Sequence, residues 1–431
     1  MSTTIVVGGG LAGLTCALES AKFGSVVLIE KAKIGGNSAK ATSGINCAID
    51  KSDLKLFYDD VCRSGGDCID KSLAYTLVQN SQEAIKWLEK QGITFGQPVK
   101  LGGHSRARSL RPIDSTGKVL PVGFTLVNTL KKLCQANPRI EILEGYNVRK
   151  LIRNDKGQVV GVICRPQNDI ENGLEQIIKS DRVVITTGGY AYSNEQNQYL
   201  ERYAPHLRLT PTTNGNTSIG EGLDLVKTIG GQLVDMTKIQ LHPTGFIDPK
   251  DPYAITKFLC PEALRGVGGR LVNQLGLRFA DELTTRDKLV NAIGEYCLDG
   301  QAYLIIDEKM AYEFSPSAIG FYQSKGLLQR VESIEELASK ISEKHMILLN
   351  IYESCKGMNA PFYIGKVTPV VHFCMGGAKI NSSAQVLDEY DQPISGLFAC
   401  GEVSGGTHGQ NRLAGCSLLE CTVFGLLAAR N

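Results

Sequence analysis

Five short motifs carry side chains of the types that bind anions or move protons. They lie at residues 240–245, 262–266, 284–287, 371–377 and 411–413. Arginine offers a planar fork of donors that matches a carboxylate, whereas histidine and threonine can each donate one hydrogen bond. Brought together, such groups would hold a small dicarboxylate at both ends and withdraw electron density from a double bond between them.

The two ends of such a ligand can be assigned to particular residues. Arg412 supplies a guanidinium for one carboxylate. His242 and Thr244 can hold one end of the ligand, and His372 the other. This set favours a small dicarboxylate as the ligand.

Each charged motif also has an ordinary structural interpretation. His242 precedes a proline and can be a turn residue, and Arg286 with Asp287 can be a surface charge pair. Glu262 and Arg265 stand three residues apart and can be a simple helix pair. Spacing alone does not place any of these residues in contact.

The chain opens on a nucleotide-binding pattern. A short apolar run leads into Gly-Gly-Gly-Leu-Ala-Gly at residues 8–13, and a second apolar run ends at Glu30. Gly8 permits a tight turn, Gly10 lets a pyrophosphate approach the backbone, and Gly13 lets a helix pack closely. The first N–H groups of that helix face the phosphates, and Glu30 can accept hydrogen bonds from a ribose.

Apolar spacing and turn signals predict the elements that position these residues. Helices are predicted at 11–23, 73–91, 333–350 and 417–429, and strands at 140–143, 148–152, 159–164, 182–185, 378–380 and 396–400. The strand at 182–185 runs into glycines as the first strand does, so we expect it to return to the nucleotide sheet. Residues 101–117 are basic and rich in turns, and are interpreted as a solvated surface loop, with a loop near phosphate or substrate as the alternative.

Length and composition describe an ordinary globular protein of more than one domain. The chain has 431 residues, of which 42% are hydrophobic and 21% charged, and a net charge of +2. This charge gives no reason to expect nucleic acid or an anionic membrane as partner, and no apolar run approaches the ~20 residues of a membrane span. The 13 cysteines are scattered without zinc-ligand spacing, so no metal is expected and reduced, buried thiols are predicted.

The order of the elements predicts an inserted domain. Residues 236–373 are more helical and more charged than the flanking parts of the chain, whereas 374–431 return to strands and a final helix. We therefore predict an α/β fold with a Rossmann-like nucleotide-binding domain formed by residues 1–235 and 374–431, and an α+β capping domain at 236–373 that carries the substrate site. The ligand would lie in the cleft between them.

The five motifs, together with Gly-Glu-Val-Ser-Gly-Gly at 401–406, resemble the soluble, yeast-type members of the fumarate reductase and succinate dehydrogenase flavoprotein family. The resemblance extends from Ile5 to the final helix. It implies FAD in the Rossmann-like domain and reduction of fumarate to succinate by hydride transfer from reduced flavin N5. It also implies that Arg286 protonates the neighbouring carbon from the opposite face, and that Glu262 and Arg265 resupply the proton.

The fingerprint and the resemblance together assign a set of residues to FAD binding. They are Gly8, Gly10, Leu11, Ala12, Gly13, Glu30, Lys31, Gly36, Asn37, Ser38, Ser43, Gly44, Thr187, Gly188, Gly189, Glu402, Ser417 and Leu418. Membrane-bound relatives carry a histidine that attaches the flavin covalently, where this chain reads Gly-Asn-Ser-Ala at 36–39. The resemblance therefore implies non-covalent FAD.

Two departures from the family pattern leave the substrate range open. Pro261 stands where bacterial relatives have a threonine that helps to hold substrate, and Cys374 stands where threonine is common. The rival interpretations are a urocanate reductase, an aspartate oxidase or a ketosteroid dehydrogenase, an electron-transferring flavoprotein subunit of a larger complex, and a nucleotide-binding module without catalysis.

The partners and the location follow less directly. We expect reduced flavin or a separate reductase as electron donor, and the oligomeric state stays open. The first strand begins by Ile5, which leaves no room for a leader peptide in the chain as given. This predicts a cytoplasmic protein, or one in an organelle if a targeting segment has been removed.

Overall fold

A computed structural model describes residues 2–167, 175–194, 197–342 and 347–431. The strands are β1 (Ser2–Val7), β2 (Gly24–Glu30), β3 (Ile45–Asn46), β4 (Ser109–Leu110), β5 (Ile140–Glu144), β6 (Tyr146–Arg153), β7 (Val159–Pro166), β8 (Gln176–Lys179), β9 (Arg182–Ile185), β10 (Leu233–Val234), β11 (Ile239–Phe246), β12 (Arg270–Val272), β13 (Ala302–Asp307), β14 (Gln329–Val331), β15 (Phe362–Cys374), β16 (Gly377–Lys379), β17 (Gln385–Leu387), β18 (Pro393–Ala399) and β19 (Ser404–Gly405). The α-helices are α1 (Leu11–Ser20), α2 (Asp53–Gly65), α3 (Lys71–Gln79), α4 (Ser81–Lys90), α5 (Val122–Ala136), α6 (Gln198–Tyr203), α7 (Glu221–Thr228), α8 (Glu262–Gly266), α9 (Arg286–Tyr296), α10 (Glu308–Phe314), α11 (Pro316–Ser324), α12 (Ile334–Ile341), α13 (Leu348–Ser354) and α14 (Cys416–Arg430).

A six-stranded sheet built from both ends of the chain carries the nucleotide pattern. Its strand order is β17-β18-β9-β1-β2-β5, and all neighbours are parallel except β17 and β18. The central strands β1 and β9 are apolar and buried because helices cover the sheet, with α1 packed against α14. The expected return of residues 182–185 to this sheet is confirmed.

The inserted region contains more sheet than its charged, helical sequence indicates. An antiparallel sheet in the order β11-β15-β13-β12, with β14 also paired to β15, forms its centre, and α8 to α13 lie in the same stretch of chain. The local sequence does not reveal these strands, because their antiparallel pairing joins segments far apart in the chain. The predicted fold class, a Rossmann-like domain from both chain ends with an inserted α+β cap, is confirmed.

The buried apolar residues form three clusters. The largest combines residues from both ends of the chain, and two smaller ones consist mainly of residues 246–367. The long strand β15 passes through all three clusters, and Leu101 and Ala414, from outside the inserted region, belong to a cap cluster. The boundaries at 236 and 373 therefore stay a prediction, since the clusters share a continuous strand.

Three predicted helices have other bounds than the apolar spacing suggests. The helix predicted at 11–23 ends at Ser20, because the chain needs three residues of turn before Gly24 pairs with Ser2. The helix predicted at 73–91 is interrupted at Asn80, whose side-chain amide donates to Thr76 O at 2.7 Å. The segment predicted at 333–350 contains α12 and the start of α13, and its residues 343–346 lie outside the described residues.

None of the helices in the described ranges is both long and apolar enough to cross a bilayer. The cysteines are free, and most are buried, as predicted. In the same ranges, no three or more His, Cys, Asp or Glu side chains are grouped so that they could hold a metal ion.

Candidate active site

The glycine motif after β1 forms a cradle with three distinct steric roles. Gly8 has φ +112°, which an L side chain rarely adopts, and a Cβ at Gly13 would lie 1.9 Å from Gly8 O. A Cβ at Gly10 would meet Ser38 Oγ at 3.4 Å, an ordinary contact, so backbone packing leaves this side of the cradle open. The Leu11 N–H at the start of α1 donates to Ser38 Oγ at 3.2 Å. Here a phosphate can approach the backbone and the N-terminus of α1.

The carboxylate of Glu30 is fixed at the end of β2. Its Oε2 accepts from the Gly9 N–H at 2.7 Å and its Oε1 from the Ala32 N–H at 2.8 Å. The next residue, Lys31, forms an ion pair with Glu221 at the start of α7. The backbone thus holds Glu30 beside the cradle, where a ribose hydroxyl would find an acceptor.

A cavity of about 870 Å³ extends from this cradle. It is lined by most of the residues assigned to FAD binding: Gly8, Gly10, Leu11, Ala12, Glu30, Lys31, Gly36, Asn37, Ser38, Ser43, Gly44, Thr187, Gly188, Glu402, Ser417 and Leu418. Gly13 and Gly189 lie behind the wall, where a Cβ would strike Gly8 O and the Glu402 side chain. The same cavity is lined by Arg286, His372 and Arg412, so it joins the nucleotide cradle to the candidate catalytic residues.

Three features of the wall fit a dinucleotide such as FAD. Thr187 Oγ1 is buried, lacks a hydrogen-bond partner and belongs to a residue that lines the cavity. Helix α14 begins after Gly415 without a side-chain cap, and Ser417 and Leu418 of its first turn line the cavity, so the positive end of the helix lies at the wall. Burial raises the pKa of Glu402 to about 7, so near neutral pH this carboxyl can donate as well as accept a hydrogen bond.

Replacing Gly10 and Gly13 with alanine separates cofactor binding from folding. Gly13→Ala is expected to lose FAD and stability together because its Cβ has no space. At Gly10 the φ of −76° suits alanine. We therefore expect the Tm of Gly10→Ala to lie within about 4 °C of that of the wild-type apoprotein. Its affinity for FAD should be about tenfold weaker. Thermal unfolding and FAD titration measure the two effects. Equal FAD affinity in Gly10→Ala and wild type would show that the cofactor does not approach the backbone here.

The 3₁₀ turn at Gly36–Lys40, which follows β2, is hydrogen-bonded through Asn37 to a distant loop. Asn37 Nδ2 donates to Asn214 Oδ1 at 2.5 Å and to Ser218 Oγ at 2.8 Å, and its Oδ1 accepts from the Gly215 N–H at 3.0 Å. Asn214 Nδ2 in turn donates to His372 O at 3.0 Å. The cofactor-side turn and the strand that carries His372 are therefore held in one network.

Arg286, Glu262 and Arg265 form a continuous buried chain of charges. Arg286 Nε donates to Glu262 Oε2 at 2.9 Å, and Arg265 Nη2 lies 3.8 Å from the same oxygen. Glu262 Oε1 accepts from the Gly102 N–H at 2.9 Å. Burial acts to raise the pKa of Glu262, but the charges of Arg286 and Arg265 outweigh it and hold that pKa below its usual value. The structure thus brings together three residues that spacing could not place in contact.

The two candidate histidines are neighbours and neutral. Their ring centroids lie 5.1 Å apart, and burial, reinforced by the positive charge of Arg286, holds both pKa values well below the ordinary value. His242 Nδ1 lies 3.2 Å from both the Thr244 N–H and Thr244 O, contacts that suit either tautomer of the ring. His242 Nε2 is buried without a hydrogen-bond partner among the described residues, and His242 is absent from the cavity wall.

The Thr244 hydroxyl has a partner of its own. It donates to Cys260 O at 3.0 Å, and Thr244 is absent from the cavity wall. The geometry therefore gives Thr244 contacts that orient His242, and its role in holding substrate stays a prediction.

Arg412 is almost fully buried, and no carboxylate within the described ranges forms an ion pair with it. Its guanidinium lies over the Phe373 ring at 4.4 Å, and its Nε lacks a hydrogen-bond partner. Burial, together with the nearby charge of Arg286, lowers the pKa of Arg412 to about 9. A buried cation without a counter-charge is an arrangement that an anionic ligand would stabilise.

Two polar residues that the sequence did not single out complete the site. Gln240 lies between Arg286 and the Arg412 backbone, and Thr213 Oγ1 lies 2.7 Å from His372 Nδ1. Gln240 stood in a motif already considered for its histidine, but nothing in its type or spacing marked it. Thr213 carried no local signal.

The prediction that residues 101–117 form a purely solvated surface loop is wrong. Arg108 is fully buried and donates to both oxygens of Asp53, at 2.8 and 3.2 Å, and to Asp60. Its partners lie about 50 residues earlier in the chain, which is why charge alone suggested exposure. The cluster anchors the loop whose Gly102 N–H binds Glu262.

His104, in the same loop, makes a pH-dependent contribution to stability. It accepts from Arg108 Nη1 through Nδ1 at 3.0 Å and donates to Ala414 O at 2.9 Å, and burial lowers its pKa to about 4. Below an unfolded-state pKa of about 6.5, the unfolded chain binds a proton here that the folded chain does not, so this contribution falls as the pH falls, by about 1.4 kcal/mol per pH unit.

We expect the difference in free energy of unfolding between wild type and His104→Gln to depend on pH. The free energy of unfolding of wild type minus that of the variant should fall by about 1.4 kcal/mol per unit between about pH 6.5 and 4.5. Chemical denaturation measures it. The difference between variants is needed because Glu402, with its raised pKa, acts in the opposite direction in the raw pH curve. Exposed His206→Gln is the control, and a pH-independent difference for His104→Gln would contradict the assignment.

Known proteins resemble this chain over nearly its whole length. A family model described as an FAD binding domain matches residues 3–418. Fumarate reductase 1 of Saccharomyces cerevisiae is 40% identical over 100% of this chain and 98% of its own length, and the fumarate reductase of Schizosaccharomyces pombe is 36% identical over 99% and 88%. The solved open conformation of a flavocytochrome c3 fumarate reductase superimposes with a TM-score of 0.76 at 30% identity, over 99% of this chain and 77% of that one.

Proposed function

We propose, from the premise that this chain belongs to the FAD-binding flavoprotein family that includes the fumarate reductases, that it reduces fumarate to succinate. The chain is an FAD-dependent oxidoreductase. The observation that carries the proposal is the buried guanidinium of Arg286 at the cavity wall, held by Glu262 Oε2 at 2.9 Å and Gln240 Oε1 at 2.8 Å. A cationic donor fixed in this way suits protonation of a bound anion.

The dicarboxylate would be held by the side chains of Arg412 and His372 at the cavity wall. Arg412 would offer its guanidinium to one carboxylate, and His372 would hold the other, with the His242 ring 5.1 Å from that of His372. Because both histidines are neutral, they donate hydrogen bonds without adding charge to a site that already contains Arg286 and Arg412. Clamping both carboxylates orients the double bond and withdraws electron density from it.

FAD held in this cavity would supply, when reduced, the hydride for one carbon of the double bond. Arg286 then gives a proton to the neighbouring carbon, which has carbanion character. Guanidinium is ordinarily too weak an acid for proton transfer, but a carbanion beside a carboxylate is a far stronger base, so the transfer is favourable. Glu262 is ionised and in contact with Arg286, so it can return a proton that reaches it through Arg265.

The electron donor and the attachment of the flavin belong to the same proposal. We expect non-covalent FAD, because residues 36–39 offer no histidine or cysteine to bond it. Electrons would come from free reduced flavin or a separate reductase. A cytoplasmic location stays a prediction.

Purified protein tests the proposal directly. Denaturation should release FAD into the supernatant, and reduced viologen dye should be oxidised on addition of fumarate. Urocanate and L-aspartate, assayed beside it, represent the rival activities. A protein that turns over either of these and leaves fumarate unchanged would overturn the proposal.

A further inference from the structure

The side-chain amide of Gln240 joins the two arginines of the site. It projects from β11 and is buried, with 3% of its surface exposed. Its Oε1 accepts from Arg286 Nη1 at 2.8 Å. Its Nε2 donates to Asn411 Oδ1 at 2.7 Å and to Arg412 O at 2.8 Å. Both hydrogens of the amide and one lone pair of its oxygen are thus used.

These partners fix the orientation of the amide. On one side lies a guanidinium that can only donate, and on the other lie two oxygens that accept. Rotating the amide by 180° would set N–H groups against the guanidinium and an oxygen against two oxygens. A neutral side chain with a donor and an acceptor at this length is needed, and glutamine supplies both.

The two arginines repel one another and belong to different parts of the fold. Arg286 begins α9 of the inserted region, whereas Arg412 lies in the loop before α14. Asn411 adds a second link, because its Nδ2 donates at 3.0 Å to Asp287, the neighbour of Arg286. The loop at 411–412 is therefore tied to α9 once through Gln240 and once through Asn411.

From this geometry we infer that Gln240 is a positioning residue that sets the placement of the proton donor Arg286 relative to the carboxylate-binding Arg412. The inference rests on the proposed function. Gln240 donates no proton to substrate, and it acts through the two guanidinium groups. Misplacement of catalytic groups by about 1 Å can cost about 100-fold in rate, so the effect should be large for a residue without a chemical step of its own.

Gln240→Met keeps the length of the side chain and removes the amide. We expect kcat/KM for fumarate per bound FAD to fall about 100-fold, with a lower kcat because Arg286 is released and a higher KM because the 411–412 loop shifts. Calorimetry should show weaker binding of fumarate to the oxidised protein.

The matched control is Gln274→Met, at a residue that does not line the cavity. The Gln274 amide also donates to two carbonyl oxygens, those of Leu298 and Gln301, and accepts from a backbone N–H. Its replacement removes the same kinds of bond without facing an arginine. It should leave kcat, KM and fumarate affinity within about twofold of wild type.

Gln240→Glu tests the inference through the pH dependence of kcat, which a simple loss of folded protein would not reproduce. At high pH its carboxylate would pair with Arg286 and repel Asn411 Oδ1 and Arg412 O, whereas its protonated form restores one donor and one acceptor. The other charged neighbours are Asp287 and Glu262, and His242 on the same strand is neutral. The ratio of variant to wild-type kcat should therefore rise as the pH falls, by up to about tenfold per unit.

The outcomes separate the inference from the proposed function. No fumarate turnover in the wild type would overturn the proposed function itself. With an active wild type, the inference is overturned if Gln240→Met behaves as Gln274→Met does, or if the Gln240→Glu ratio is independent of pH. If Gln240→Met fails to retain FAD, the pH dependence of Gln240→Glu decides.

Discussion

Replacing Arg286 with alanine is expected to lower kcat for fumarate by about 1,000-fold or more while FAD remains bound, the loss that follows removal of a general acid. The side chain contacts Glu262 and Gln240 on the far side and lines the cavity on the other. Its removal leaves no donor in that position. Stopped-flow measurement of fumarate reduction and steady-state dye-coupled assays measure the effect on kcat.

Two companion variants make this result specific. Arg286→Lys keeps the positive charge but loses the planar fork that contacts Glu262 and Gln240 together, so we expect kcat to remain at least about tenfold below wild type. Arg208→Ala removes an arginine from a half-exposed pair with Glu201 and should have no effect. Wild-type turnover by Arg286→Ala would remove the proposed acid from the mechanism.

Replacing Arg412 with methionine is expected to act mainly through KM. Methionine fills the space over Phe373 but leaves one carboxylate of the ligand without a charged partner. Truncating one partner of a buried charge pair costs about 2–5 kcal/mol, which corresponds to a loss of about 30- to 4,000-fold in kcat/KM. Fumarate titration of the oxidised protein and steady-state kinetics measure it.

Arg412→Lys, which retains the positive charge, is the control for Arg412→Met. Arg412→Lys keeps a cation without the bidentate fork, so its KM should fall between those of wild type and Arg412→Met. FAD content should be unchanged in both variants. An unaltered KM in Arg412→Met would mean that the dicarboxylate is held elsewhere in the cavity.

The nucleotide half of the fold could be predicted from local sequence. Gly13 packs against the backbone of Gly8, and Glu30 accepts from the Gly9 N–H at the end of the neighbouring strand, so their spacing carries the geometry. The helices and strands followed from the same local signals, with errors where a turn or a side chain competes with the helix, as at Asn80.

The candidate site depends on contacts that local spacing does not contain. Glu262 and Arg286 are 24 residues apart, and the partners of Gln240 lie 46 and 171 residues further along the chain. Sequence reasoning placed Arg286 and Glu262 together through family resemblance alone. Gln240 and Thr213 were missed because an amide or a hydroxyl has no distinctive pattern until its partners are in place.

The most direct test of the central claim is a crystal structure of the oxidised, FAD-loaded protein with fumarate bound, since the oxidised enzyme cannot reduce its ligand. The proposed function predicts an Arg286 Nη atom within about 3.5 Å of a central carbon, on the side away from the flavin, with Arg412 at one carboxylate. Fumarate bound with Arg286 turned toward solvent, or out of reach of both central carbons, would contradict the claim.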